Sequence, residues 1–103
     1  MNQVPVTLFT YNRVSHLKQT VDALRKNRGA VSTDLFIYSD APITEDARAD
    51  VANVREFLHS INGFKSVTII ERNTNYGLGK NIIEGVSEMI ERFGRIIILE
   101  DDL

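Results

Sequence analysis

The sequence contains no cysteine, which excludes disulfides and thiolate metal sites and leaves the redox compartment open. Proline is scarce, with only Pro5 and Pro42. No charge of one sign dominates. Twelve basic residues face fourteen acidic ones, for a net charge of −2. No basic stretch gathers, which argues against electrostatically driven nucleic-acid binding. The apolar runs are far too short to cross a bilayer, so no membrane segment is expected. The N-terminal MNQVPVTLF lacks the basic leader of a signal peptide, and a soluble, cytoplasmic domain is expected. Internal repeats, low-complexity tracts and linkers are also missing.

What is present suits a globular unit. The 103 residues are 43% hydrophobic and 25% charged, close to the globular average. A chain of this size buries roughly two-thirds of the surface its unfolded form exposes. Apolar periodicity alternates between strand-like and helix-like. A strand is expected at 4–9, with Pro5 tolerated near its start. The next segment is helical: Val14, Leu17, Val21 and Leu24 share a face, Asn12 suits the N-cap, and Gly29 suits the C-terminal cap. A second strand at 35–38 runs into Ser39-Asp40 and a turn containing Pro42. A second helix starts near Thr44, with Glu45 and Asp46 at the positive end of its dipole. Its apolar face is Ala47, Val51, Val54, Leu58 and Ile61, and Asn62-Gly63 closes it.

A third strand is expected at 67–70. The loop NTNYGLG leads to a third helix with Ile82, Val86, Met89 and Phe93 on its inner face, supported by Ile83 and Ile90. Gly94 caps that helix, and 96–99 forms a fourth strand. The expected order is β-α-β-α-β-α-β, an α/β fold with a Rossmann-like parallel sheet joined by right-handed crossovers. An unbroken run such as IIIL suits a strand covered on both faces.

Function must then be argued from sites, because many domains share this order. Ligands in open α/β sheets gather outside the carboxyl ends of the strands. Those ends carry Thr10-Tyr11-Asn12-Arg13, Ser39-Asp40, Glu71-Arg72-Asn73 and Glu100-Asp101-Asp102, a charged rim along one edge. The last triplet needs explaining, since adjacent carboxylates repel one another and raise each other's proton affinity. A divalent cation is the natural counter-charge. Oxygen-only ligands favour Mg²⁺ or Mn²⁺ over zinc, often shared with substrate phosphates. His16 and His59 fall within helical segments with no acidic partner at metal-ligand spacing, and surface or boundary positions are expected for both.

Four segments in this order resemble the glycosyltransferases of the A-type fold, which use nucleotide-sugar donors. They are TYNR at 10–13, YSD at 38–40, NYGLGKN at 75–81 and LEDD at 99–102. The E-D-D form is similar to that of the N-acetylglucosaminyltransferase branch. The resemblance spans residues 1–103 and implies a nucleotide-sugar-binding half of such a domain, with a UDP-linked donor. Asp102 would be the metal ligand, bridging Mn²⁺ or Mg²⁺ to the donor diphosphate. Asp101 and Glu100 would bond ribose and sugar hydroxyls, and Asp40 would accept from the uracil ring. Thr10 and Tyr11 would line the base and ribose pocket, with Arg13 near the base or phosphates. Lys80 stands where many family members have arginine; it could meet phosphate as a point charge, without a bidentate grip. Gly77 and Gly79 would let their loop approach the donor.

The resemblance also places an acceptor site and catalytic base in a second half, so no catalytic residue is assigned within these residues. Its sheet continues past the fourth strand. With only these residues, 96–99 would be an open edge and a route to homo-oligomers. Plainer roles remain open: Arg13 as a first-turn residue, Asp40 as a turn residue, Lys80 as an exposed helix position. The alternative from another class is a small non-enzymatic α/β binding module with an acidic metal site. In receiver domains and aspartate-nucleophile phosphatases, the paired acids follow the first strand, unlike here.

Overall fold

A computed structural model describes residues 4–101. Four strands and three helices alternate: β1 (Val6–Thr10), α1 (Val14–Arg25), β2 (Asp34–Ser39), α2 (Arg48–Leu58), β3 (Ser66–Glu71), α3 (Leu78–Phe93) and β4 (Ile97–Glu100), with 3₁₀ turns at Ala30–Ser32 and Glu45–Ala47. All strand pairings are parallel, in the order β3-β2-β1-β4. This is an α/β fold of Rossmann-like kind. Among the described residues, no helix is long and apolar enough to cross a membrane.

Alternation along the strands divides the core in two. Val6, Leu8, Leu35 and Ile37 pack with Leu17 and Val21 of α1 and Val54 and Leu58 of α2. The intervening residues Phe9, Phe36 and Tyr38 pack with Met89 of α3. Side chains on a strand point to alternate faces, so α1 and α2 cover one face and α3 the other. β1 and β2 are buried on both faces, the condition parallel sheets require.

The ends of the helices differ from the sequence expectations. Arg13, not Asn12, occupies the N-cap position of α1, and no side chain caps it. α1 stops at Arg25, after which the bonds tighten to i→i−3 with Asn27 N–H on Leu24 O at 3.1 Å, so Gly29 opens the following 3₁₀ turn instead of capping the helix. The segment at 45–47 is 3₁₀ before α2 begins at Arg48. Ile61 lies beyond α2 yet still packs on its core. Gly94 does cap α3, at φ +79°.

The contact line of α3 also differs. Asn81, Gly85 and Met89, spaced four apart, are its buried residues. Ile82 and Val86 are half-buried beside them, while Ile83 is 67% exposed and Ile90 44%. The reason is steric. Phe9 and Tyr38 stack with centroids 5.2 Å apart. A Cβ on residue 85 would come within 2.7 Å of the Phe9 ring. The helix therefore seats its smallest residue on the aromatic pair, and its larger residues fall to the side. Phe93, 38% exposed, keeps a tilted contact with Phe36.

β4 is an edge strand, so its apolar run is not covered on both faces: Ile97 is 48% exposed and Ile98 45%. The fold thus sets every strand's carboxyl end along one rim and leaves β4 open on its outer side.

Candidate functional site

Backbone pairing carries the strand ends into register. The Asp40 N–H donates to Thr10 O at 3.2 Å, Arg72 N–H to Ser39 O at 2.9 Å, and Asp101 N–H to Phe9 O at 3.4 Å. Each bond continues its ladder one residue past a strand. A cavity of about 270 Å³ opens at this rim, lined chiefly by Thr10, Tyr11, Asp40, Gly77, Asn81 and Asp101, with Ile43 and Leu78 among its walls. Small-molecule sites span about 300–1,000 Å³, so this one suits a small guest or part of a larger one.

Asp40 organises one wall. It is 4% exposed, and its Oδ1 accepts from the backbone N–H groups of Ala41 and Tyr76, both at 2.9 Å. Its Oδ2 accepts from Gly77 N–H at 3.0 Å and, more weakly, from Asn75 Nδ2 at 3.4 Å. Hydrogen bonds to a charged group contribute about 1.5–3 kcal/mol each, so this carboxylate ties the 75–77 segment firmly to the end of β2. The oxygens that the resemblance directs toward a base are already engaged with four donors. Asn75 Nδ2 also donates to Ala41 O at 2.7 Å. Gly77, at φ +79°, provides the left-handed turn into α3 that a side chain would strain.

The rest of the lining is tied in a similar way. Tyr11 accepts at its hydroxyl from the Ile43 N–H at 3.0 Å, fixing the loop after β2. Thr10 donates to Asp101 Oδ2 by a short hydrogen bond linking the ends of β1 and β4. Asp101 is 9% exposed. Among the described residues, no group of three or more acidic or histidine side chains is placed to hold a metal ion. Asp102, the expected ligand, lies outside the described residues.

Of the expected site residues, Thr10, Tyr11, Asp40, Gly77 and Asp101 come together on the cavity, while Arg13, Lys80 and Glu100 are not part of its lining. Arg13 is exposed at the start of α1, and Glu100 is half-buried in β4. Lys80 is exposed, with Nζ 4.7 Å from the Tyr76 ring centroid. Gly79, also expected near the donor, is exposed in the first turn of α3.

Behind the cavity, Arg55 of α2 binds the ends of β2 and β3, reaching Ser39 O at 3.1 Å and Arg72 O at 2.9 Å. Glu71 points to Arg55 at 3.8 Å and to exposed His59 at 2.8 Å, a tertiary partner that sequence spacing did not reveal. Arg72 lies against the Tyr38 ring at 4.8 Å and the Tyr76 ring at 4.4 Å, with Nη1 3.7 Å from Glu88. Asn75, Asn81 and Arg72 are polar residues of this region that motif reasoning left without roles.

Comparison with protein-family models, curated proteins and solved structures finds no match.

Tyr38 gives this packing a measurable signature. Burial, then the hydrogen bond it donates to Glu88 at 2.9 Å and that residue's charge, push its phenol up to about 12, against the pull of Arg72 and Arg92. An unfolded phenol ionises near about 10, so over that interval the folded state holds a proton the unfolded state releases. Stability should be full below about pH 10 and fall as the pH rises toward about 12. In denaturant titrations, Tyr38→Phe should flatten that alkaline decline; an unchanged decline would remove Tyr38 as its source.

Proposed function

We propose that the cavity binds the nucleotide of a nucleotide-sugar donor, and that the chain is the nucleotide-binding half of a glycosyltransferase of the A-type fold. The observation that carries this reading is convergence. Residues from all four family-like segments (Thr10 and Tyr11, Asp40, Gly77 and Asn81, and Asp101) line one cavity at the carboxyl ends of a parallel sheet. Their separation in sequence makes that meeting informative, because nothing but the fold brings them together. The donor is a UDP-sugar, and the reaction of the complete transferase is sugar transfer to a hydroxyl acceptor.

In this reading, the chain's own residues bind and orient. Asp40 holds the 75–77 wall, Tyr11 holds the loop after β2, and Thr10 and Asp101 join β1 to β4 at the cavity. Mn²⁺ or Mg²⁺, when bound, stabilises charge on the departing diphosphate as a Lewis acid. Asp102 would hold the ion, while Asp101 would bond ribose or donor-sugar hydroxyls.

Calorimetric titration with UDP, with and without Mn²⁺, tests the assignment. Wild-type protein should bind UDP more tightly with Mn²⁺, and Asp102→Ala should lose that dependence. Metal dependence retained in the variant would remove Asp102 from the role, and no UDP binding by wild type would overturn the reading.

The open edge of β4 carries a further part of this proposal. Unpaired backbone groups beside Ile97 and Ile98 can pair with the same strand of a second copy, forming a homo-oligomer. Light scattering at moderate salt should show concentration-dependent association that Ile97→Lys weakens. A monomer at high concentration, unchanged by that substitution, would sink the pairing.

A further inference from the structure

Asn81 is a polar side chain of the cavity to which neither the acidic rim nor the family-like motifs assign a task, and unlike Asn75 its amide nitrogen is not engaged with Asp40 and Ala41. Asn81 sits in the first turn of α3, is only 2% exposed, and lines the cavity. Its Oδ1 accepts from Arg72 Nε at 3.1 Å. Arginine has donors only, so a reversed amide would set N–H against N–H. The orientation of this amide is therefore dictated by chemistry.

Arg72 is itself held in place. Its side chain is 9% exposed, lies close to two tyrosine rings and pairs with Glu88. With the oxygen of Asn81 fixed toward Arg72, its Nδ2 and two hydrogens are turned away. No hydrogen-bond acceptor for that nitrogen is found among the described residues. It is not sealed inside the protein either: the fully enclosed unpartnered side-chain atoms there are Thr7 Oγ1 and Arg72 Nη2. The open space that Asn81 borders is the cavity. A nearly buried amide donor without an acceptor is destabilising unless solvent or a ligand satisfies it. Asp40 is already engaged with four donors, which leaves Asn81 well placed to read a polar group in the guest.

We infer that Asn81 is a specificity-determining residue, its Nδ2 hydrogens donating to an acceptor oxygen of the bound nucleotide, with Arg72 as its positioning residue. This rests on the reading of the cavity as a nucleotide site. A base carbonyl and a phosphate oxygen share the required chemistry, and the choice of probe separates them.

Wild type, Asn81→Asp, Asn81→Ala and Arg72→Met are titrated with uridine, with UDP plus Mg²⁺, and with inorganic diphosphate plus Mg²⁺. Affinity is followed by calorimetry, and the Asn81 side-chain signal in wild type by NMR. Aspartate keeps the size of asparagine and still accepts from Arg72, while alanine removes the donor without adding charge. Both variants should bind UDP at least about tenfold more weakly, and the Asn81 signal should move on saturation of wild type. Loss on uridine as well as UDP assigns a base carbonyl; loss on UDP and diphosphate alone assigns a phosphate oxygen. Arg72→Met should weaken UDP binding in the wild-type background and add nothing in Asn81→Ala, a coupling that general loosening would not produce. Equal affinities for wild type and both Asn81 variants would overturn the assignment and leave the nucleotide reading standing. Wild type that binds none of the three probes would overturn both.

Discussion

The carboxylate of Asp40 is the constraint on which the cavity depends. It sits one residue beyond β2, held in line by its own backbone bond to Thr10 O. From there it gathers donors from Ala41, Asn75, Tyr76 and Gly77. Without that anion, the segment before α3 would have several polar backbone groups and little reason to fold against the sheet. With it, the start of α3 is fixed beside β1 and β2, and Asn81 is carried onto the cavity one turn later.

The same placement explains the division of labour between the two faces. α1 and α2 bury aliphatic side chains against Leu8, Leu35 and Ile37, a core that needs only volume. α3 meets aromatic rings and a buried guanidinium, where shape and polarity both matter. Gly85 admits the Phe9–Tyr38 stack, and Asn81 meets Arg72. Attachment of α3 is thus coupled to the site: the interactions that seat the helix also orient a polar group in the cavity.

The elements were largely legible in the sequence because their apolar periods are clean, as in the Val51, Val54 and Leu58 face of α2. The strand ends were legible as well, since a buried strand must surface in polar residues. Helix limits were not, because the chain tightened to i→i−3 bonds at Asn27 and ended α1 before the glycine that suited its cap. The inner line of α3 was hidden for a different reason. Periodicity weights large apolar residues, so it favoured Ile82 and Val86 over Gly85 and Asn81, whose importance comes from contacts with Phe9 and Arg72 far away in sequence. The engagement of Asp40 was equally invisible, since three of its four donors are backbone N–H groups that every sequence has. Arg13 and Lys80 carried suitable charges at suitable spacings, yet both lie on exposed surface outside the cavity lining.

An amide NMR titration of isotope-labelled protein with UDP and Mg²⁺ examines the proposed nucleotide site most directly, because it locates binding without requiring turnover. Signals of Thr10, Tyr11, Asp40, Ala41, Gly77 and Asn81 should move together and saturate, while the exposed faces of α1 and α2 remain still. Saturating UDP that leaves those six signals unmoved, or that shifts residues elsewhere in their place, would contradict the account.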